Sequence, residues 1–263
     1  MSIPAVAFFA LGCLIAHAQA ADPESFIVAR AGNLPIILTA PHGGQQAVSA
    51  RARTRGVTTM DAGTLELTLA VAERLSAVAG AEPYVVAARF SRRFIDANRT
   101  EAEAFDDPDA RPVYVAYHTR IRAFVAEVKE KFPAGALLLD IHGQGDDPDV
   151  VHRGTRNGAT VVRLINRHGA DALIGPNSVL GQLHIKGHRV FPPNTPAGEP
   201  PEDRRYNGGH TVFTYGSNTG EGIDAMQLEL GRNMRTRSDF VNDLAGAIAV
   251  FYKAYLMAAP PVK

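Results

Sequence analysis

Two uninterrupted apolar runs constrain the fold of this chain more than any other feature. They are Val85-Val86-Ala87 and Leu137-Leu138-Leu139. A strand with one face in water alternates apolar and polar residues, whereas a strand buried on both faces is a continuous apolar run. Both runs are therefore predicted to be central strands of a sheet that is covered on each side. Segments with helical periodicity separate such runs, which favours an α/β architecture.

The same patterns predict the order of elements along the chain. Strands are predicted at Ile36–Ala40, Tyr84–Ala88, Ala136–Ile141, Thr211–Tyr215 and Ala225–Leu230. Helices are predicted at Thr64–Val78, Val113–Lys131, Thr160–His168 and Phe240–Met257. The stretch from Phe191 to Asp203 contains five prolines and no periodicity, which is typical of a long surface loop or lid. Because no repeat or domain boundary is visible, one compact domain over residues 22–258 is expected.

The first twenty residues differ from the rest of the chain. They contain no charged side chain, carry an apolar run from Ala5 to Ala16, and end in Ala18-Gln19-Ala20. This pattern predicts a secretory signal peptide cleaved after Ala20, and hence an exported, periplasmic or secreted protein with no membrane segment after cleavage. The alternatives are a buried N-terminal helix and a lipoprotein signal at Cys13, the only cysteine.

Charge and histidine content limit the classes of function. The 27 Lys and Arg residues balance 27 Asp and Glu residues, so the chain lacks the basic excess of proteins that bind nucleic acid or membrane surfaces. The chain has nine histidines and a single cysteine. A metal site is therefore expected to consist of histidines and carboxylates rather than thiolates.

Histidines follow two of the predicted strands, each beside a glycine. His42 follows the first strand, and His142 follows Asp140 at the end of the third. Ligands in open α/β sheets bind beyond the carboxyl ends of the strands, and two histidines, a carboxylate and a water form a common catalytic zinc site. Asp140 shares a strand face with His142 and would hold its imidazole in one tautomer. The alternative is that each histidine only caps its strand.

Glu229 lies in an otherwise apolar strand, where an unpaired carboxylate is costly. It is predicted to be a general base that takes a proton from an attacking water. The alternative is a structural salt bridge to an arginine such as Arg232.

The pair Asn98-Arg99 is a candidate anchor for a substrate carboxylate, since the planar guanidinium binds carboxylates through two parallel hydrogen bonds. The alternative is a solvated loop of ion pairs, because Arg92, Arg93 and Asp96 lie close by in the sequence.

Taken together, these residues resemble the N-formylglutamate amidohydrolase family, which is distantly similar to zinc carboxypeptidases and aspartoacylase-like enzymes. The resemblance runs from His42 to Glu229, and it depends on the order of six motifs that are individually weak. The motifs are Pro41-His42-Gly43-Gly44, Arg93-x-x-Asp96-x-Asn98-Arg99, Tyr117-His118, Asp140-x-His142, Gly208-Gly209-His210 and Gln227-x-Glu229.

The resemblance implies a single α/β domain of the phosphorylase/hydrolase type, with a mixed, mostly parallel sheet and helices on both faces. It implies Zn²⁺ as cofactor, His42 and His142 as ligands, and Glu229 as the general base. The remaining positions that it assigns belong to the substrate pocket. Asn98 and Arg99 would grip the substrate carboxylate, Arg93 would assist, and Gly209 and His210 would line the opposite wall, with His210 as an oxyanion donor.

Two positions depart from the related patterns. Gln45 stands where the carboxypeptidase-like pattern has an acidic ligand, three residues after His42. The third ligand is therefore assigned to Asp61 by its likeness to an acidic residue of the amidohydrolase family, with Glu66 as the alternative. Gly143 stands where relatives often have Ser or Thr after the histidine, which would alter the substrate pocket rather than the metal site.

The expected function is zinc-dependent hydrolysis of a linear amide in an N-formyl or N-acyl amino acid, a small substrate with a free carboxylate. Because N-formylglutamate belongs to intracellular histidine breakdown, an exported relative is expected to cut a different amide. The alternatives are an exported zinc carboxypeptidase or γ-glutamyl hydrolase, and a non-catalytic carboxylate-binding protein that keeps the fold.

Overall fold

The computed structural model describes residues 21–193 and 201–257. Within them, seven strands form one mixed sheet in the order β1-β3-β2-β4-β7-β5-β6. The strands are β1 (Ile27–Arg30), β2 (Ile36–Ala40), β3 (Tyr84–Ala88), β4 (Leu137–Gln144), β5 (Val150–Gly154), β6 (Arg189–Phe191) and β7 (Asp224–Gly231). The helices are α1 (Thr64–Ala79), α2 (Glu101–Ala104), α3 (Arg111–Lys131), α4 (Val162–His168), α5 (Asp171–Ile174), α6 (Val179–Ile185), α7 (His210–Tyr215) and α8 (Ser238–Phe251).

The centre of the sheet is parallel, and antiparallel pairs lie toward its two sides. β3, β2, β4 and β7 run parallel to one another, and β5 runs parallel to β6. β1 is antiparallel to β3, and β5 is antiparallel to β7. The predicted mixed, mostly parallel sheet is therefore confirmed.

Helices cover both faces of the sheet, as the apolar runs predict. Leu137 and Leu139 of β4 pack in one apolar cluster, which contains α1, α6 and α8. Leu138 points to the opposite face and packs in a second cluster with residues of α3 and α7. Every residue of β2 and β3 is buried, because neither strand has a face in water. The result is a single α/β domain with helices on both faces.

One predicted strand is wrong. Thr211–Tyr215 lies within helix α7, although its β-branched and aromatic residues are typical of a strand. Val212 and Tyr215, three positions apart, are buried on one helical face, whereas Phe213 is 49% exposed. The backbone N–H of Thr211 donates to Oδ1 of Asn98, so a distant side chain satisfies a donor in the first turn. Tertiary contacts therefore decide the structure of this segment.

The other predicted elements are present, with shifted ends. The predicted helix Thr160–His168 is a 3₁₀ turn, Ala159–Val161, followed by α4. The predicted C-terminal helix ends at Phe251 and continues as a π-helical turn, Tyr252–Leu256. No helix in the described part of the chain is long and apolar enough to span a membrane.

Three of the sequence predictions lie wholly or partly beyond the described residues. The signal peptide over Met1–Ala20, with Cys13, is one of them, and it stays a prediction. The others are the end of the domain at residue 258 and most of the loop from Phe191 to Asp203. In the described end of that loop, Glu202 is buried and accepts hydrogen bonds from Arg153 and Thr155 of the β5 region.

Candidate functional site

The candidate site forms where the parallel strands β2, β4 and β7 end at the same edge of the sheet. His42 lies two residues beyond β2, His142 lies near the end of β4, and Glu229 lies near the end of β7. The register pairs His142 directly with Glu229 on the neighbouring strand. The sheet thus brings together polar side chains from distant parts of the sequence at the edge where ligands bind in open α/β sheets.

The two histidines converge on one carboxylate oxygen. Their ring centroids are 4.8 Å apart, and both side chains are buried. Oδ2 of Asp61 lies 3.3 Å from Nδ1 of His42 and 3.4 Å from Nδ1 of His142. Glu66, the alternative third ligand, is exposed on α1. The predicted convergence is therefore present, with Asp61 as the carboxylate, and the role of these residues as metal ligands stays a prediction.

The segment between β2 and α1 holds Asp61 in place. Its backbone N–H donates to the carbonyl oxygen of His42, and its own carbonyl accepts from the Thr64 hydroxyl at the start of α1. Gly43 allows this close approach, because a Cβ there would lie 2.7 Å from Oγ1 of Thr64. Asp61 therefore reaches the site although nineteen residues separate it from His42.

A second carboxylate orients each imidazole. Nε2 of His142 lies 2.8 Å from Oδ2 of Asp140, as predicted for that aspartate, and Nε2 of His42 lies 2.6 Å from Oδ1 of Asp96. Since a carboxylate only accepts, each Nε2 carries the proton and donates it. Each Nδ1 is then an acceptor that faces Asp61. Asp96 has the same role as Asp140, although in the sequence only its place in a polar motif distinguishes it.

The charges of the site favour an additional cation. Burial raises the pKa of Asp61, but the neighbouring imidazoles of His142 and His42 outweigh it and hold that pKa well below its usual range. Burial lowers the pKa of His142, yet the carboxylate of Asp140 outweighs this effect and the pKa is raised. Burial also raises the pKa of Glu229. Four carboxylates thus lie around two imidazoles and the guanidinium of Arg92 in a poorly solvated space, and a bound cation would compensate the negative charge that remains.

The donor atoms fit a zinc ion. His42, Asp61 and His142 each offer one atom, and these atoms lie within 4.8 Å of one another. Two ligands that bind one ion at about 2.0–2.1 Å with tetrahedral angles lie about 3.3–3.4 Å apart. Both Nδ1–Oδ2 distances, 3.3 and 3.4 Å, agree with that separation. Two histidines and one carboxylate are also a known protein ligand set of catalytic zinc.

Glu229 lies beside this cluster and forms no salt bridge with an arginine within residues 21–193 and 201–257. Its Oε1 is 4.0 Å from Nδ1 of His142 and accepts a hydrogen bond from Nε2 of Gln227. Oε1 of Gln227 in turn accepts from the backbone N–H of Gly209. Arg232, the alternative salt-bridge partner, is exposed and is not the ion-pair partner of Glu229. The buried carboxylate thus faces the candidate metal position rather than a structural cation.

A cavity of about 570 Å³ opens in front of the cluster. Asp61, His142 and Glu229 line it. Three of the residues that the sequence assigned to the substrate pocket also line it, namely Asn98, Arg99 and Gly209. Asn98 also has a structural role, because its Oδ1 accepts from the first turn of α7 and its Nδ2 lies 3.3 Å from Nε2 of His142.

Two of the predicted pocket residues do not line this cavity. Arg93 is exposed outside it, and the neighbouring Arg92 lines it instead, held by the carboxylates of Asp61 and Asp96. His210 begins α7 rather than preceding a strand, and its ring lies 5.7 Å from that of His118. The predicted oxyanion donor therefore packs near His118 rather than lining the cavity.

Several cavity residues were not predicted. They include Gln144, Tyr206 and three arginines, Arg204, Arg205 and Arg235. Gln144 ends β4, whereas Arg204, Arg205 and Tyr206 precede α7 and Arg235 follows β7. None of these residues was assigned a role from the sequence.

His118, from the Tyr117-His118 motif, has a structural role near the site. Its Nε2 donates to the carbonyl oxygen of Ala97, and its Nδ1 lies 2.8 Å from the Tyr215 hydroxyl. Burial is the main cause that lowers the pKa of His118 to about 3. His118 therefore helps to position the segment before Asn98.

A pH-dependent stability follows from the lowered pKa of His118. An unfolded histidine has a pKa of about 6.5, so as the pH falls below that value the unfolded state takes up a proton that the folded state refuses. Stability from this residue is thus present above pH 6.5 and is lost toward pH 3. Glutamine keeps a donor for the carbonyl oxygen of Ala97 but does not titrate. We therefore expect the unfolding free energy of the parent to fall by about 1 kcal/mol more than that of His118→Gln between pH 6 and pH 5. Urea unfolding at both pH values measures this, and parallel profiles would contradict it.

Comparison with known proteins shows the fold. No protein-family model and no curated protein matches the sequence. An N-formylglutamate amidohydrolase from Ralstonia eutropha matches with a TM-score of 0.54 and 16% identity, over 86% of this chain and 95% of that chain. A gene product from Agrobacterium tumefaciens matches with a TM-score of 0.55 and 15% identity, over 87% of this chain and 94% of that chain. At these identities the likeness concerns the fold alone, and it confirms the fold that the resemblance implied.

Proposed function

We propose that this protein is an exported, zinc-dependent amidohydrolase that cleaves a linear amide in an N-formyl or N-acyl amino acid. The observation that carries the proposal is the convergence of His42, His142 and Asp61 on one point beside the buried Glu229. A bound Zn²⁺ supplies a Lewis acid that polarises a carbonyl group and lowers the pKa of water. The likeness of fold to an N-formylglutamate amidohydrolase supports the same class of reaction.

The chain's own residues supply the proton transfers. Glu229 accepts one proton of the attacking water as the water oxygen bonds to the amide carbon. It then gives this proton to the leaving nitrogen as the carbon–nitrogen bond breaks, so that a carboxylic acid and an amine result. Burial keeps Glu229 poorly solvated and raises its pKa, which makes the carboxylate a stronger base for the proton of the attacking water.

Other residues hold these groups and the substrate. Asp96 and Asp140 fix the two imidazoles, and Arg92 fixes Asp61 and Asp96. Arg99 is exposed at the cavity and would bind the substrate carboxylate. Its Nη1 donates to the carbonyl oxygen of Asn98, which leaves the other N–H groups of the guanidinium for the substrate.

Metal analysis and a hydrolysis screen test the proposal. The protein without residues 1–20 is purified, its zinc content is measured, and N-formyl, N-acyl, γ-glutamyl and C-terminal peptide substrates are compared. One equivalent of zinc with hydrolysis that a chelator abolishes supports the proposal. Carboxylate binding without zinc or hydrolysis would instead favour a non-catalytic binding protein, and preference for a peptide or γ-glutamyl substrate would favour the alternative hydrolases.

Exchange of Arg99 for lysine tests the carboxylate anchor. Lysine keeps the charge but loses the planar pair of donors. A hydrogen bond to a charged group contributes about 1.5–3 kcal/mol, so we expect kcat/KM on acid substrates to fall by about 10- to 150-fold. The substitution should leave the melting temperature nearly unchanged, because Arg99 is exposed.

Two controls separate an anchor from a structural arginine. A substrate whose carboxylate is esterified should be poor with the parent and insensitive to Arg99→Lys. Arg93→Lys changes a neighbouring exposed arginine that does not line the cavity, and it should have little effect. Equal losses on acid and ester substrates would show that Arg99 holds its loop rather than the ligand.

A further inference from the structure

Arg235 occupies space that Gly143 leaves open at the centre of the site. A Cβ on Gly143 would lie 2.7 Å from Cζ and 3.0 Å from Cδ of Arg235. Gly143 directly follows His142, and its backbone N–H donates to Oδ2 of Asp61. The guanidinium of Arg235 therefore lies against the backbone that carries one candidate ligand and contacts another. A side chain at position 143 would displace it.

The charge of Arg235 has no carboxylate partner among its hydrogen bonds. Nη1 and Nη2 donate to the carbonyl oxygens of Ala62 and Gln144, at 2.9 and 3.4 Å. Its Nε is buried and has no partner within the described part of the chain. Burial lowers the pKa of the guanidinium, while Asp61 and Glu229, its charged neighbours, oppose that shift. Each Nη nitrogen carries two N–H groups and has one hydrogen bond here, so the guanidinium keeps N–H groups from which a ligand oxygen in the cavity can accept.

The other arginine beside Asp61 differs in this respect. Arg92 donates to Oδ1 of Asp61 and to Oδ2 of Asp96, so its charge is compensated by two carboxylates. His210, the donor expected from the sequence, faces His118 instead. Arg235 thus lines the same cavity as Glu229 without a hydrogen-bonded carboxylate in the described part of the chain.

We propose that Arg235 is a catalytic residue that donates to the carbonyl oxygen of the scissile amide, and that Gly143 is required to admit it. This inference rests on the proposed amide hydrolysis. When the water oxygen adds to the carbonyl carbon, the π electrons move onto the carbonyl oxygen, and the guanidinium stabilises that negative charge. As the carbon–nitrogen bond breaks, the electron pair on oxygen re-forms the carbonyl double bond. The electrons of the broken bond leave with the nitrogen, which takes the proton from Glu229, so Arg235 neither gains nor loses a proton.

Substitutions at both positions test this assignment. Loss of one preorganised oxyanion donor costs about 10²–10³-fold in kcat, so we expect Arg235→Met to lower kcat by about 10²-fold with KM changed less than threefold. Gly143→Ala should cause a similar loss, because the nearest atoms that the new methyl group meets belong to the flexible Arg235 side chain. The double variant should be no worse than Arg235→Met alone. Arg232→Met, an exposed arginine in the same loop, is the matched control and should be unaffected.

Binding measurements provide a readout other than turnover. A phosphonate analogue of the best N-acyl amino acid carries the tetrahedral negative charge, and its Kd should rise about 10²-fold in Arg235→Met and Gly143→Ala but not in Arg232→Met. Zinc content should stay at the parent value in all four variants. Arg235→Lys keeps the charge and is expected to retain part of the kcat that Arg235→Met loses. It tests the same role if the methionine variant fails to fold.

The outcomes separate this inference from the proposed function. A parent protein that binds zinc and hydrolyses amides while Arg235→Met keeps its kcat would overturn the role of Arg235 alone. A loss confined to KM, a loss of zinc, or additive losses in the double variant would also overturn it. A parent protein without zinc and without hydrolysis would overturn the proposed function, and this inference with it.

Discussion

Exchange of Glu229 for glutamine is expected to lower kcat by about 10²-fold or more while zinc content and melting temperature stay at parent values. Glutamine keeps the size of the side chain, and its Oε1 can still accept from Nε2 of Gln227 as Glu229 does. It cannot accept the proton of the attacking water at neutral pH. Glu229 lies outside the group of three ligand atoms, so its loss should leave the metal in place. Steady-state kinetics with metal analysis of the same samples measures both effects.

Glu73→Gln is the matched control for this substitution. It removes one carboxylate from an exposed position on α1, where the side chain is 73% exposed and pairs loosely with Arg30. Its kcat should equal that of the parent. Full activity in Glu229→Gln would show that the carboxylate has a structural role, and loss of zinc would show that it contributes to metal binding.

The central strands could be predicted because their signal is local. The runs at β2, β3 and β4 are apolar on both faces, and such runs have few other structural solutions. β5 was missed because it carries His152 and Arg153, both buried. Their partners are Asp147 and Glu202, and the second of these lies 49 residues away. Because these polar residues are buried against distant partners, the strand itself has no periodic pattern of apolar residues.

Site residues at the ends of strands could be predicted from the sequence, whereas site residues in loops were harder to predict. His42, Asp140, His142 and Glu229 follow from the ends of parallel strands, which must meet at one edge. Asp61 and Asp96 depend on the paths of two loops, and only the family resemblance pointed to Asp61. Nothing local to Arg235 indicates that its side chain packs against Gly143, ninety-two positions earlier. The absence of a side chain at Gly143 was visible, but the residue that fills the space was not.

Loss of Asp61 is expected to have the largest effect on the metal. We expect Asp61→Asn to weaken zinc binding by more than the 10–100-fold that loss of an outer-shell partner costs, since an amide oxygen is a poorer zinc ligand than a carboxylate. Asp140→Asn, which changes an outer-shell partner of His142, should fall within that range. Competition with a chromophoric chelator measures both dissociation constants. Hydrolysis at limiting zinc should disappear in Asp61→Asn and persist in part in Asp140→Asn.

Glu66→Gln decides between the two carboxylates that the sequence offered as third ligand. Glu66 is exposed on α1, five residues from Asp61, so its substitution should leave zinc affinity unchanged. Thermal unfolding gives an independent measure, because a ligand at 1,000 times its Kd stabilises the folded state by about 4.1 kcal/mol. At a zinc concentration of 1,000 times the parent's Kd, zinc should raise the melting temperature of Glu66→Gln as much as that of the parent. The rise in Asp61→Asn should be much smaller. A full rise in Asp61→Asn would exclude this carboxylate as a ligand. The distances of 3.3 and 3.4 Å to the two imidazoles would then reflect an ion-pair network without a metal.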